Sequence, residues 1–179
     1  MPTVLAILTD GFEEIETVAP IDLLRRAEVD VTLAALGPGI HATGRSGLTL
    51  HANTLLDNVS KPAFDCLLLP GGPGVKTLRA DPRVRQLVLA QQARDGWLAA
   101  ICAAPTILHD AGLLRGRRYT AHFSVANELP DIQSAERCVV DGKLITSRGA
   151  GTAIDFGLLL VGKLVSPQKA AEIAAAICA

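Results

Sequence analysis

Short, continuous apolar runs alternate with amphipathic segments along most of the chain. Continuous apolar runs are typical of strands buried on both faces, and apolar residues at every third or fourth position predict helices. The predicted strands cover 4–8, 29–36, 66–69 and the run ending at 101, with candidate edge strands at 48–50 and 55–56. The predicted helices cover about 15–27, a segment opening at Asp81-Pro82, a segment after Cys102, 153–164 and a last segment opening at Ser166-Pro167.

This alternation predicts an α/β fold, a three-layer sandwich with a mostly parallel sheet and helices on both faces. Residues 137–140 and 143–146 flank Asp141-Gly142, which predicts a hairpin with a type I′ turn. No internal repeat, low-complexity tract or linker interrupts the pattern. We therefore expect a single domain over residues 1–179.

Composition narrows the class of protein. Hydrophobic residues make up 49% of the 179 residues but aromatic residues only 3%, so the core is expected to be aliphatic. The net charge of −1 and the lack of a basic run argue against nucleic-acid binding. No apolar run is long enough to span a membrane, and the first residues lack the pattern of a signal peptide. We expect a cytoplasmic protein without membrane or nucleic-acid partners.

The four cysteines are widely spaced, with no CxxC pair and no zinc-type spacing. Such a pattern suits a reducing compartment, and it predicts neither a metal nor an organic cofactor. Cys66 and Cys138 lie in strand-like runs and are expected in the core, and Cys178 lies beside the chain end. Only Cys102 has surroundings that suggest reactivity.

Cys102 follows an apolar strand and precedes small residues and a proline that can open a helix. A strand-to-helix turn of this kind exposes a nucleophile, and the helix N-terminus favours thiolate over thiol. The alternative is a buried structural cysteine, because free cysteines are among the most buried residues. The segment by itself does not decide between these two interpretations.

Two more segments follow strands and should reach the same edge of the sheet as Cys102. Residues 9–14 contain acidic side chains, and residues 70–74 read PGGPG. Ligands of such sheets bind beyond the carboxyl ends of the strands, so a carboxylate, a glycine-rich backbone and a thiol are expected in one pocket. The glycine-rich turn lacks the dinucleotide and P-loop patterns, so we do not interpret it as a nucleotide site.

Four motifs in this order resemble the ThiJ/PfpI superfamily, and most closely its DJ-one branch, which includes the parkinsonism-associated protein and its bacterial relatives. They are GFEEIETV at 11–18, LPGG at 69–72, AAICAAP at 99–105 and TSRGAGT at 146–152. The resemblance covers essentially the whole chain. It implies a flavodoxin-like fold, a homodimer and a reactive cysteine at a nucleophile elbow.

By this resemblance, Cys102 is the nucleophile, Glu13 is the carboxyl beside it, and the backbone N–H groups of Gly72 and Ala103 face the reacting oxygen. A protonated Glu13 that donates a hydrogen bond to the sulfur would avoid two like charges in contact and could pass protons to a substrate. Acidic residues at a helix start also stabilise the helix dipole. We adopt that structural interpretation for Glu14 and Glu16.

His122 is the candidate third catalytic residue, because some relatives place a histidine near the thiol at this distance along the chain. Phe123 stands where those relatives tend to carry proline. Ala103 follows Cys102 where the protease-like branch carries an activating histidine, which disfavours an intracellular cysteine protease. The resemblance also places Arg26, Arg45 and Arg148 near the dimer interface and the pocket, whereas the other three histidines are assigned no function.

Two function classes follow. The first is a glutathione-independent enzyme of the glyoxalase or deglycase type, in which Cys102 forms a hemithioacetal with a methylglyoxal-type aldehyde and Glu13 moves protons. The second is a sensor of oxidative stress, or an oxidation-activated chaperone, in which Cys102 becomes a sulfinate. Both use the same thiol, so the sequence leaves both open.

Overall fold

The computed structural model describes residues 1–59 and 63–179, and this part of the chain contains nine strands and six α-helices. The strands are β1 (Thr3–Leu8), β2 (Asp30–Ala35), β3 (His41–Thr43), β4 (Thr49–His51), β5 (Thr54–Leu55), β6 (Cys66–Leu69), β7 (Trp97–Ile101), β8 (Cys138–Asp141) and β9 (Leu144–Ser147). The helices are α1 (Glu14–Arg26), α2 (Val75–Ala80), α3 (Pro82–Ala93), α4 (Pro105–Asp110), α5 (Ala153–Leu164) and α6 (Pro167–Ala176).

Seven of these strands form one sheet in the order β5-β2-β1-β6-β7-β9-β8. All pairs in it are parallel except the antiparallel hairpin of β8 and β9. Helices cover both faces: α1, α5 and α6 pack on one side, and α2, α3 and α4 on the other. The predicted flavodoxin-like three-layer fold is confirmed, and every predicted strand and helix has a counterpart.

Alternation along β1 shows why the central strands are apolar throughout. Val4, Ala6 and Leu8 face the core shared with α1 and α5, whereas Leu5 and Ile7 face the core shared with α2, α3 and α4. A strand between two helical layers buries both of its faces. Because β1, β6 and β7 pair in parallel, their carboxyl ends lie at the same edge of the sheet.

The strands β3 and β4 form a separate antiparallel hairpin beside the sheet. Its tip is tied to the start of α1, because Ser46 N–H donates to Glu14 Oε1 at 2.7 Å. Burial opposes ionisation of Glu14, but the hydrogen bonds from the hairpin outweigh it and lower the pKa of that carboxyl. Glu14 thus has a structural role, as expected, although its contact is with the hairpin.

Two local predictions were wrong. The three-residue spacing of Val18, Ile21 and Leu24 predicts that they share an apolar face of α1. Val18 is 44% exposed, because the buried face runs through Glu16, Thr17 and Pro20 instead. The loop of the β8–β9 hairpin is Gly142-Lys143, and only Gly142 has a positive φ there. A type I′ turn needs positive φ at both positions, so the turn has the φ pattern of type II′.

Close packing of α1 against α5 depends on Gly157. A Cβ at this position would lie 2.6 Å from Leu23 Cδ1 and 2.9 Å from Pro20 Cα. Gly162, in the same helix, has only ordinary contacts, the nearest at 3.7 Å. The two glycines therefore differ in what an added methyl group must displace.

We expect Gly157→Ala to lower the free energy of unfolding by about 1–3 kcal/mol, because the helices must separate to accept the methyl group. Gly162→Ala is the matched control and should raise it by up to about 1 kcal/mol through helix propensity. Urea unfolding followed by the fluorescence of the single tryptophan measures both. Equal effects of the two substitutions would contradict the packing argument.

Candidate active site

Cys102 lies at the turn between β7 and α4 in a strained backbone conformation. Its φ is +66°, which is uncommon for a residue other than glycine. The Cys102 N–H donates to Ser147 O at 2.9 Å, and its carbonyl accepts from His122 N–H at 2.9 Å. These two bonds hold the residue from both sides. The predicted strand-to-helix elbow is therefore present, and its strain is of the kind that persists at functional sites.

Three groups contact the Cys102 sulfur. The backbone N–H groups of Gly72 and Ala103 donate hydrogen bonds to it, and the carboxyl group of Glu16 is hydrogen-bonded to it. The structure thus brings Gly72, Ala103 and Cys102 together in the predicted arrangement. The carboxyl beside the thiol is a different residue from the one predicted.

Glu13 was predicted beside the thiol, and this prediction was wrong. Its side chain caps α1: Glu13 Oε2 accepts from Glu16 N–H at 2.8 Å. Glu16 lies three residues later, on the inward face of the helix, and is 2% exposed. Both carboxyl groups line the cavity at Cys102, but only the Glu16 carboxyl forms a hydrogen bond with the Cys102 sulfur. The prediction that Glu16 only stabilises the helix dipole was therefore wrong, because its carboxyl is buried against the thiol.

Burial raises the pKa of the Glu16 carboxyl to about 7, and the neighbouring Glu13 carboxylate adds to this effect. Its hydrogen bonds and the charge of Arg45 oppose the shift without cancelling it. Glu16 Oε2 is buried without a hydrogen bond from nitrogen or oxygen in the described part of the chain. An unpaired buried oxygen is far better tolerated on a neutral carboxyl than on a carboxylate.

The pKa of the Cys102 thiol is raised as well, by burial first and then by Glu16. The hydrogen bonds from Gly72 and Ala103 lower it by less. The sequence predicted the opposite direction, from the helix end alone, and did not include burial against a carboxyl group. Burial raises the pKa of both groups and Glu16 raises that of the thiol further, whereas the hydrogen bond with Cys102 lowers the pKa of Glu16. The pair therefore retains at least one proton through the neutral range.

Two glycines at the end of β6 leave the space for this pair. A Cβ at Gly71 would collide with Glu16 Oε2 and would lie 2.5 Å from Cys102 Cβ. Gly72 has φ +96°, and a Cβ there would lie 2.5 Å from Gly11 O. Gly71 and Gly72 are therefore required because the segments that carry Gly11, Glu16 and Cys102 approach them closely. This packing explains the glycines without a bound nucleotide.

His122 faces the same cavity as Cys102 and Glu16. Its Nδ1 accepts from Ser124 N–H at 3.2 Å and lies 2.8 Å from Ser124 Oγ. With Nδ1 occupied as an acceptor, the neutral ring carries its proton on Nε2. Phe123, at the position of the expected proline, is 81% exposed and packs on the His122 ring at 4.1 Å.

The cavity at Cys102 has a volume of about 510 Å³ and is lined by both acidic and basic side chains. Arg45 reaches it from the β3–β4 hairpin, and Lys76 and Arg79 reach it from α2. Arg79 is ion-paired with Asp110 at 2.7 Å and Glu128 at 2.8 Å. A second cavity of about 520 Å³ shares His122 with the first and includes Arg148.

Of the other predicted residues, Arg26 is paired with Asp22 on the exposed side of α1, at 2.7 Å. Cys66 is fully buried and Cys138 half-buried, whereas Cys178 is exposed. In the described part of the chain, no group of three or more histidine, cysteine or acidic side chains is arranged to hold a metal. No helix within residues 1–59 and 63–179 combines the length and apolar character that crossing a membrane requires.

Glu16 is the residue that sequence reasoning missed, and a signal for it was available. With Glu13 as N-cap, the inward face of the helix runs through positions 16, 17, 20 and 21. Val18 suggested another face because it is apolar, yet it is exposed. A buried acid at the third helical position, next to the sheet edge that carries the thiol, is the stronger indication of chemistry.

Comparison with known proteins identifies similar chains. A model of the DJ-1/PfpI family matches residues 2–163. The chain is 36% identical over 178 residues to protein DJ-1 homolog B of Arabidopsis thaliana, covering 98% of this chain and 41% of that protein. It is 30% identical over 169 residues to the glutathione-independent glyoxalase DJR-1.2 of Caenorhabditis elegans, covering 93% of this chain and 90% of that protein.

Among solved structures, Drosophila melanogaster DJ-1beta superposes with a TM-score of 0.95 at 35% identity, covering 99% of this chain and 97% of that one. The chain spans less than half of the length of protein DJ-1 homolog B and of protein DJ-1 homolog A, both of Arabidopsis thaliana.

The raised pKa of Glu16 predicts a pH-dependent stability. The ordinary pKa is 4.5 and the folded value about 7, so between them the folded protein binds more protons than the unfolded chain. The free energy of unfolding contributed by Glu16 therefore falls as pH rises. The difference between wild type and Glu16→Gln should fall by roughly 3 kcal/mol from about pH 4 to pH 8 in urea unfolding. A difference that stays constant or rises contradicts the assignment.

Proposed function

The chain belongs to the DJ-1/PfpI family, and we propose that it is a cysteine-dependent enzyme acting on small reactive aldehydes. It would convert methylglyoxal-type 2-oxoaldehydes to hydroxy acids without glutathione, as a glyoxalase- or deglycase-type lyase or hydrolase. The observation that carries the proposal is the buried Cys102–Glu16 pair, which faces a cavity beside two backbone donors. The name of the Caenorhabditis elegans relative supports the same chemistry.

In the first step, the Cys102 sulfur attacks the aldehyde carbon and its thiol proton passes to the Glu16 carboxylate. A general base works best when its pKa lies near the operating pH, and the pKa of about 7 meets this condition. The same proton then moves to the former carbonyl oxygen, which completes a hemithioacetal. Gly72 and Ala103 N–H groups lie beside the sulfur, where they can stabilise the negative charge on that oxygen.

In the second step, Glu16 removes the proton from the carbon bonded to sulfur and passes it to the adjacent ketone oxygen, so that an enediol forms. The hydroxyl proton on the sulfur-bearing carbon then moves through Glu16 to the adjacent carbon, which gives a thioester of the hydroxy acid, and water hydrolyses the thioester to free the thiol. The sum is methylglyoxal plus water giving lactate, so no oxidant or reductant is consumed. We propose that His122 supports these transfers through Nε2–H, since it lines the same cavity and its Nδ1 accepts from Ser124 N–H.

We also propose that the protein is a cytoplasmic homodimer. Ile15 and Val18 are 54% and 44% exposed on the side of α1 that faces away from the sheet, and exposed apolar residues close together suggest a protein partner. All four cysteines are free, which supports a reducing compartment.

A redox-sensing function is the second candidate, and the surroundings of the sulfur favour it. Two N–H groups already donate to this atom, and a protonated Glu16 would add a third donor. Sulfinate oxygens formed at Cys102 would be held by these groups. Oxidation by a peroxide supplies the two oxygen atoms and requires no further partner.

Turnover of methylglyoxal without glutathione, followed by substrate loss and lactate formation, tests the enzyme. Cys102→Ser and Glu16→Gln should each lower kcat/KM by about 10²-fold or more, because each removes a reacting group. Glu13→Gln keeps an oxygen for capping and should retain most of the activity. The proposed roles are wrong if Glu13→Gln is inactive while Glu16→Gln turns over normally, or if Cys102→Ser remains active.

Mass spectrometry after limited peroxide treatment tests the sensor. Cys102 should gain two oxygens before Cys66, which is fully buried and has no access to the oxidant. Gly72 and Glu16 donors should hold that state, so Glu16→Gln should show faster conversion to the sulfonate. Equal oxidation of Cys66 and Cys102 would count against both functions, since both need an accessible and reactive Cys102.

A further inference from the structure

Two histidines lie opposite each other on the β3–β4 hairpin, outside the site described above. His41 and His51 are direct partners in the antiparallel register. The Ala52 N–H donates to Ile40 O at 2.7 Å, so the neighbouring pair of His41 and His51 is a non-hydrogen-bonded pair. Side chains of such pairs approach each other more closely than those of hydrogen-bonded pairs. No function is predicted for either histidine from the sequence.

The two rings have the separation that a shared metal ion would require. Their centroids are 4.8 Å apart, with an interplanar angle of 82°. Two imidazoles bound side by side to one ion at about 2.1 Å per nitrogen hold their ring centres roughly 4.5–5.2 Å apart. The rings meet edge to face, and a rotation of the side chains at this separation would direct one nitrogen of each ring at a single ion.

The histidine pair is also accessible. His41 and His51 are exposed on one face of the hairpin. Ala42, on the opposite face, packs against the core and is 3% exposed. Thr43 and Thr49 share the exposed face, with their hydroxyl oxygens 3.2 Å apart. Water can therefore complete the coordination of an ion held by two nitrogens.

We propose that His41 and His51 form a surface site for a divalent transition-metal ion such as Zn²⁺, Ni²⁺ or Cu²⁺. Imidazole nitrogen suits these ions, whereas Mg²⁺ and Ca²⁺ prefer oxygen ligands. Cross-strand coordination stabilises the hairpin, because the ion binds the paired strands and not the unfolded chain. The same hairpin carries Arg45, which lines the cavity at Cys102.

The test measures Ni²⁺ binding by titration calorimetry on protein without a histidine tag, in a Cys102→Ser and Cys178→Ser background that removes competing thiols. We expect one ion per chain with a dissociation constant in the micromolar range. His41→Gln and His51→Gln should each weaken binding at least about tenfold. His109→Gln is the matched control, because His109 is exposed on α4 and has no histidine partner in the described chain, and it should leave binding unchanged.

A thermal unfolding scan gives a second readout that does not depend on the calorimetric fit. Saturating Ni²⁺ should raise Tm in the background protein but not in His41→Gln or His51→Gln. The proposal is overturned if binding is absent below millimolar Ni²⁺, if either single variant binds as the background does, or if His109→Gln removes the binding.

Discussion

Two ionisable side chains that touch where water is scarce cannot both carry a charge, and this constraint governs the site. Glu16 and Cys102 are buried against each other; burial raises the pKa of both groups, and Glu16 raises that of the thiol further. The pair therefore has a proton that can lie on oxygen or on sulfur. Aldehyde addition and peroxide oxidation both begin from this proton, which explains why one arrangement of residues can serve two kinds of chemistry.

Much of the fold keeps these two groups in contact. Cys102 is held at a positive φ by hydrogen bonds to Ser147 and His122, which belong to segments far away in sequence. On the other side, Gly71 and Gly72 lack the Cβ atoms that would separate the thiol from the carboxyl. The site is thus built from the ends of several strands, and the strain at Cys102 is offset by packing and hydrogen bonds elsewhere.

The sequence predicted the layers and the elbow because these follow from local patterns. Apolar runs identified the buried strands, and the small residues after Cys102 identified the turn. Glu16 was missed because three glutamates within four positions look alike until the helix start is assigned. Its N-cap, set by the Glu13 side chain, decides which carboxyl points inward. The direction of the thiol pKa was missed for a related reason, since burial depends on tertiary contacts.

The contact of Gly157 with Pro20 and Leu23 has a consequence for the length of the chain. It fixes the rotation of α1 about its own axis, because the two helices meet at backbone distance. Each residue of an α-helix turns the chain by about 100°. A one-residue insertion between Glu16 and Pro20 would therefore turn Glu16 away from the sulfur by about 100°, even though every original residue is retained. Spacing in this segment is as strictly required as the identity of the acid.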